Sequence, residues 1–436
     1  MRLTEEHTAH RASPGSMVIA GLSTVVEWYD FTLYLYFATV LSRVFFGGGE
    51  HSLLATLGGF AISYGMRPLG AMVFGHIGDR IGRRRTLLLS MMLMTFTMLA
   101  TAMLPGYATI GPAAGGLLML LRCFMAFSVG GEYTGVVAYL LEGAGAERRG
   151  LIASLASAAS EVGALLAVAL SALTVGLMST ADLDAWGWRM PFLAGAALAG
   201  GVWIARSAME ESPDFLRQVE QRTVPDSPLC DTLAHHRPAL FRTFTISALG
   251  SITYYVGIIY VPTFLSSSGT LAEGRSLGLS TLAAAAVILV TPLAGALSDR
   301  VGRKPVLVWL AVAGMLLPLA MFGLMAGGTE VTIALAAIVL ACLAGGVSAV
   351  GAPATAEQFP GEGRLSGLAL GVTVATAVFG GLAPFVAELL IQLTGWKAVP
   401  GAMIAAVALA VLPVFLTMPE TCPRSVPKAA KAEPWP

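Results

Sequence analysis

Charge is what this sequence has least of. Asp, Glu, Lys and Arg together make up 12% of its 436 residues, against roughly 25% in soluble domains. With 56% hydrophobic residues and a mean hydropathy of +0.75, that shortage excludes an ordinary soluble fold. The 26 basic and 26 acidic residues cancel, so no long-range field gathers a polyanion and nucleic-acid binding is excluded. Cysteine is nearly as scarce. Cys123, Cys230, Cys342 and Cys422 lie far apart, without a CxxC or Cys/His grouping, which excludes a disulfide framework and a zinc site. The six histidines, His7, His10, His51, His76, His235 and His236, fall mainly in tails and loops, and no metal is expected. There is no Walker loop or dinucleotide fingerprint, which disfavours an ATP-driven pump, and no Gly-x-Ser-x-Gly elbow. Neither an enzyme nor a bound cofactor is expected. Residues 1–16 lack the apolar core and cleavage site of a signal peptide, so the first apolar run is expected to persist in the mature protein.

What remains is apolar sequence in long runs. A helix needs about 20 residues to cross about 30 Å of hydrocarbon, and such stretches fall at approximately 17–42, 53–77, 86–105, 114–141, 150–177, 190–207, 240–266, 277–298, 306–326, 331–358, 365–393 and 398–418. The expected fold is an all-α membrane protein of twelve transmembrane helices. Cytoplasmic loops retain Lys and Arg. Of the 26 here, Arg43, Arg189, Arg275 and Lys397 fall on the outer side, Arg67 and Arg122 within spans, and the other 20 on the inner side. Both termini are therefore expected to be cytoplasmic.

The chain also repeats itself. Gly78-Asp79-Arg80-Ile81-Gly82-Arg83-Arg84-Arg85 returns 220 residues later as Ser298-Asp299-Arg300-Val301-Gly302-Arg303-Lys304-Pro305. Glu142, seven residues before Arg149, is echoed by Glu357, seven before Arg364. Any inner loop can collect arginines, but that alternative accounts for neither the matched order nor the matched spacing. The stretch 208–239 is charged and rich in proline. The division expected is a six-helix bundle over 1–207, a cytoplasmic linker over 208–239, and a second bundle with a cytoplasmic tail over 240–436, the two related by pseudo-symmetry.

With Gly75, Asp79, Arg80, Gly82, Arg83 and Arg84 in the loop between helices 2 and 3, the chain resembles the major facilitator superfamily. More narrowly it resembles the metabolite:proton symporters, through Glu27-Trp28-Tyr29-Asp30-Phe31, Met66-Arg67-Pro68-Leu69-Gly70, Gly130-Gly131-Glu132-Tyr133, Trp186-Gly187-Trp188-Arg189-Met190-Pro191-Phe192 and Phe379-Gly380-Gly381. Within that family, Tyr260-Val261-Pro262-Thr263, the run from Ala375 to Pro384, and Gln392-Leu393-Thr394-Gly395 look most like the citrate and tricarballylate symporters. The resemblance implies that Asp79 holds helix 2 against helix 11 at the inner face while the cavity opens outward. The expected gating set is Asp79, Arg80, Arg83 and Glu142 with Arg149, and their counterparts Asp299, Arg300, Arg303 and Glu357 with Arg364. Pro305 replaces the last arginine of the first copy, so the two latches need not be equally strong.

Charges inside spans are costly and mark functional sites. Glu27 and Asp30, with Tyr34 one turn on, share a face of helix 1. Counting about 1.5 Å per residue places Glu27 near mid-membrane, where such transporters hold cargo and coupling ion. Two carboxylates in one dry cavity tend to retain a proton, so this pair leads as the proton site. The competing reading is a structural ion pair with Arg67. Arg67 and Glu132 sit at similar depth and can pair as a gate, scaffold or ligand site. Arg122 has no obvious partner, and a guanidinium fork suits a di- or tricarboxylate; packing is the alternative. Glu161 is a further mid-membrane carboxylate that can titrate and, with Glu132, joins Glu27 and Asp30 as a proton-coupling candidate, while Glu388 is expected to be wetted near the outer end of helix 11. Tyr254, Tyr255, Tyr260 and Thr373 are the second half's contacts, packing being the alternative for each aromatic. Thr24 and Thr373 stand where the family usually carries Asn, and Glu161 is additional to the citrate branch, departures that weaken a strict citrate assignment.

The function expected is proton-coupled import of a small organic acid, citrate or another tri- or dicarboxylate, by alternating access. It is driven by the proton gradient across the bacterial inner membrane, in a lipid bilayer, by a monomer. The alternatives are uptake of a zwitterion such as betaine or proline, export of a small carboxylate, and a transport-inactive sensor, for which the chain shows no signalling domain.

Overall fold

A computed structural model of the protein describes residues 14–81, 83–130, 132, 136, 148–207, 236–359 and 364–422. Among the described residues no strand is present. In hydrocarbon a segment must satisfy its own backbone, and a helix does so unaided.

The helices form twelve successive rods. Helices α1 (Pro14–Tyr36) and α2 (Ala38–Phe46) make the first, and α3 (Ser52–Tyr64) with α4 (Met66–Ile81) the second. Then come α5 (Arg83–Met103), α6 (Ala113–Ser128), α7 (Arg149–Leu177) and α8 (Arg189–Ser207). In the second half, α9 (Arg237–Tyr254) and α10 (Val261–Ser267) flank a π-helical turn at Tyr255–Ile259. They precede α11 (Glu273–Val301), α12 (Arg303–Gly327) and α13 (Glu330–Ala356). The eleventh rod is α14 (Arg364–Thr376), a π turn at Ala377–Gly381 and α15 (Ala383–Thr394), and α16 (Val399–Thr417) is the last. Most bounds fall within a few residues of those expected. The expected end of the fourth rod lies outside the described residues: α6 runs to Ser128, a turn follows at 129–130, and Glu132 and Val136 beyond it are helical. The expected linker lies outside the described residues over 208–235, and α9 already begins at Arg237.

Six of these stretches are long and apolar enough to cross a membrane by length and composition, and the pair α9 and α10, bent by 45°, makes a seventh. All but α7 belong to the second half. In the first half, the first and second rods break at Phe37 and Gly65 and carry Glu27, Asp30 and Arg67 in their interiors, and Arg122 lies within α6. At Gly65 the chain stays near-helical, its N–H reaching Ala61 O at 3.3 Å.

Small residues set the close crossings. A Cβ at Gly130 would stand 2.2 Å from the Arg67 carbonyl oxygen, so only glycine lets the α6 rod cross the start of α4. Across the halves, a Cβ at Gly381 would stand 2.4 Å from Cβ of Tyr64. The motif ending at Phe192 is explained by packing. Trp188 is fully buried, edge-on to Phe45 at 4.9 Å, and Tyr29 donates to Pro191 O at 2.6 Å.

Helix α7 packs along α11 and α13 of the other half, and α3 and α4 pack against α14, its π turn and α15. At one end of the bundle, Asp299 of α11 accepts from the Gly150 and Leu151 amides of α7. At the other, Arg43 joins Asp184 at 3.0 Å and Glu273 at 3.3 Å, Thr39 bonds Glu273, and Thr263 donates to Leu35 O at 3.2 Å. The halves thus touch at both ends, with the site between.

Candidate functional site

Helix α1 carries two buried acids on one face, and each meets its own arginine. Arg67 Nη2 lies 2.5 Å from Glu27 Oε1, and Arg122 Nη1 lies 2.8 Å from Asp30 Oδ2. Glu132 is taken by Arg206, Nη2 to Oε1 2.7 Å, and Ser90 donates to its other oxygen at 3.4 Å. These pairings correct several expectations. Of the two readings of Glu27, its ion pair with Arg67 is present, Arg67 does not pair with Glu132, and Arg122 is not a partnerless cation. The reason is energetic, because a buried charge without a counter-charge costs several kcal/mol, roughly, more than a paired one. Spacing showed which acids share a face but not which arginine each would find, and Arg206, at the end of the sixth run, reads from sequence as a loop residue.

Aromatic rings finish the enclosure. The Arg67 guanidinium lies 4.5 Å from the centroid of Phe31 and Arg122 5.1 Å from that of Tyr34. Tyr34 donates to Thr56 O at 3.0 Å and is buried in packing, and Thr24 is likewise buried on α1.

A cavity of about 130 Å³ lies between the halves. The first half supplies Trp28, Arg67, Ser160 and Glu161 to its wall, and the second half Tyr254, Tyr255 and Thr373. Serine and threonine hydroxyls make up much of the remainder, among them Ser251, which donates to Thr376 at 3.1 Å. Arg67 Nη1 donates to the Tyr64 hydroxyl at 3.2 Å, and that hydroxyl bonds Tyr255 across the halves. The cation is therefore tied to both bundles. Trp28 stands edge-on to Tyr254, centroids 5.2 Å apart.

Glu161 differs from Glu27, Asp30 and Glu132. Among the described residues it has no arginine or lysine partner, and the Tyr254 hydroxyl is the group facing its carboxylate. Glu161 Oε2 and the Tyr254 hydroxyl both lack a hydrogen bond of full geometry. Glu388, expected at a wetted interface, is instead buried. It accepts from Tyr260 at 2.6 Å and Gln392 at 3.2 Å, and Ser267 at the end of α10 donates to it as well.

The gating set is described for the second copy. Arg303, fully buried, donates to Asp299 at 2.9 Å, Ser298 at 2.6 Å and Glu357 at 3.3 Å. Arg300 is exposed and Arg149 half-buried. Glu420 accepts from the Arg303 and Lys304 amides at 2.9 and 3.0 Å, and Thr421 donates to Glu357 at 2.8 Å. Glu420 and Thr421 are residues sequence reasoning missed; an acid just beyond the last helix was the available signal. Glu142 and the side chains of Asp79, Arg80, Arg83 and Arg364 lie outside the described residues, while helix α4 packs against α14.

Residues 16–227 match the family described as Sugar (and other) transporter, and residues 268–435 match the Major Facilitator Superfamily. The chain is 34% identical over 402 residues to the alpha-ketoglutarate permease of Escherichia coli (strain K12), covering 88% of this chain and 89% of that one. It is 30% identical over 397 residues to the citrate-proton symporter of Klebsiella pneumoniae, with 90% and 89% covered. To the proline/betaine transporter of Escherichia coli (strain K12) it is 29% identical over 428 residues, with 96% and 85% covered. Among solved structures, a partially occluded inward-open conformation of the xylose transporter XylE from E. coli superposes with a TM-score of 0.73 at 19% identity. That match covers 94% of this chain and 99% of the other.

Proposed function

The chain belongs to the major facilitator superfamily, within its metabolite:proton symporters, and from that premise we propose that it imports a small carboxylate together with protons by alternating access. It is a multi-pass protein of the inner membrane. The cavity carries the reading. It presents Arg67, a fork suited to a carboxylate, beside hydroxyls that can receive a second polar group, at the interface between repeats where secondary transporters hold their cargo. Arg122 and Arg206 are spent on Asp30 and Glu132, and among the described residues the wall carries one guanidinium, Arg67, whose Nη2 already meets Glu27. That supports a dicarboxylate over a tricarboxylate such as citrate. The charged end that carries Asp299 and Arg303 is the cytoplasmic one in this reading, with both termini on the same side, and the working unit is a monomer.

One observation favours a second reading. The cavity wall holds Arg67 and the carboxyl of Glu161, which meets no arginine or lysine among the described residues, a combination that also suits a zwitterion such as betaine or proline.

Uptake into proteoliposomes of labelled alpha-ketoglutarate, citrate and betaine, each with and without an inward proton gradient, decides between them. The expected result is gradient-driven accumulation of alpha-ketoglutarate above citrate. Accumulation of betaine alone establishes the second reading, and accumulation of none of the three overturns both.

A further inference from the structure

We propose that Glu161 is the side chain that carries the coupled proton, and that its contact with Tyr254 links the arrival of that proton to the movement of one half against the other. This rests on the proton-symport reading above.

The buried acids of the described residues sort by partner. Glu27, Asp30 and Glu132 each hold an arginine. Asp299 holds two backbone amides and Arg303, and Glu388 holds Tyr260, Ser267 and Gln392. Protonating any of the first three strands a buried guanidinium, a loss of the kind that makes breaking buried pairs expensive. A proton that must load and leave in every cycle is badly served there. Among the described residues Glu161 can gain and lose a proton without stranding a cation, and Glu388, which also lacks one, is not on the cavity wall. It also stands on the cavity wall, so the water that reaches the substrate reaches it too.

Its surroundings support the same role. Tyr36 from α1 and Tyr254 from α9 face Glu161, and the three hold unpartnered oxygens in one buried cluster. The other titratable groups on elements packed against α7 are committed or distant. Tyr29 and Tyr34 of α1 donate to Pro191 O and Thr56 O. Arg206 of α8 holds Glu132, and Arg189 lies over Trp188. Asp184 holds Arg43. Glu273, Arg275, Asp299 and Arg300 sit at the ends of α11, and Glu330 at the start of α13, whose Cys342 is half-buried.

The two line one cavity from opposite halves, since Glu161 belongs to the first and Tyr254 to the second. When Glu161 is ionised, the Tyr254 hydroxyl donates to a carboxylate, in a charge-assisted bond about twice as strong as a neutral one. When a proton from cavity water binds the carboxylate, the charge is gone and the tie across the gap weakens. Release of that proton to water on the other side restores it. Loading thus favours separation of α7 from α9 at mid-bundle, and unloading favours approach.

Two readouts on the purified protein test this. Infrared difference spectra recorded across a pH titration, without any substrate, are expected to show a protonated-carboxyl band that is missing in Glu161→Gln and displaced in Glu161→Asp and Tyr254→Phe. In proteoliposomes, a one-unit proton gradient drives about tenfold accumulation for one proton per substrate; Glu161→Gln is expected to bring that ratio to about one while counterflow between loaded compartments persists. A titrating carboxyl band that survives in Glu161→Gln overturns the proposal, as does undiminished accumulation. If the native protein accumulates no substrate tested, the symport reading fails, while the infrared band still reports whether Glu161 titrates. If Glu161→Gln does not fold, the displaced midpoint in Tyr254→Phe decides, and an unmoved midpoint there counts against the proposal.

Discussion

Asp299, on the second half, closes the N-terminus of a helix on the first: its Oδ1 accepts from Gly150 N at 2.8 Å and its Oδ2 from Leu151 N at 2.9 Å. The first amides of a helix have no partner within it, and the helix dipole favours an anion at that point. One carboxylate therefore fastens α11 to α7 and receives Arg303 at the same time.

Replacing Asp299 by Asn removes the charge and can satisfy one of the two amides at most. The expected loss is about 1–3 kcal/mol of inter-half contact, which moves the balance between states about 5- to 150-fold toward the one open at that end. Cysteine accessibility of Ser157, on the cavity wall, is expected to rise from that side while the order of substrate preference is kept. A changed substrate order would contradict a purely conformational role.

The opposite end is held less firmly. Arg43 is about one-third exposed, with side-chain accessibility of 31%, and solvent-screened pairs contribute about 0.2–1 kcal/mol. Arg43→Gln is expected to alter the transport rate only a few-fold by this estimate, and the difference from the native protein to shrink as salt is raised. An effect as large as that of Asp299→Asn, or one indifferent to salt, is the result that would refute this asymmetry.

Asp30 and Arg122 are buried together, so Arg122→Ala leaves a carboxylate alone in the bundle, at a cost of about 3–5 kcal/mol. Thermal unfolding in detergent is expected at a markedly lower temperature for Arg122→Ala, and at a recovered temperature for Asp30→Asn combined with Arg122→Gln. If the single variant keeps native stability and instead raises KM for anionic substrates, Arg122 contacts cargo after all.

Gly381 faces Tyr64 with no room for a side chain. Gly381→Val is expected to hold the second and eleventh rods apart, and to remove transport while the protein remains folded. Partial return in Gly381→Ala with Tyr64→Ala would identify the contact; full activity in Gly381→Val would show that the approach is dispensable.

The architecture was legible in sequence because its signals are redundant. Twelve apolar runs, one-sided arginines and a loop repeated from Asp79 to Asp299 all point to paired six-helix bundles. Glycines such as Gly130 and Gly381 were visible as motif letters, but the crossings that require them were not. The site was legible by residue type and depth alone. Partner choice was not, because Glu27, Arg67, Asp30, Arg122 and Glu132 admit several neutral pairings and only packing selects one. Arg206 looked like a loop arginine, and Glu161 was legible as one of four proton-coupling candidates, with Glu27, Asp30 and Glu132, but not as the one of the four without an arginine partner among the described residues.

The three arginine–carboxylate pairs inside the first half carry an electrical consequence. One elementary charge crossing 100 mV of potential corresponds to about 2.3 kcal/mol. Each pair is a plus and a minus within about a bond's length, as in Glu27 with Arg67 at 2.5 Å, so when the bundles rock these six charges displace almost no net charge along the membrane normal. The described basic residues of the second half, among them Arg242, Arg275, Arg300 and Arg303, sit near the ends of their helices. Current recorded during turnover is therefore expected to count the cargo itself, substrate plus protons, with little capacitive component from the protein.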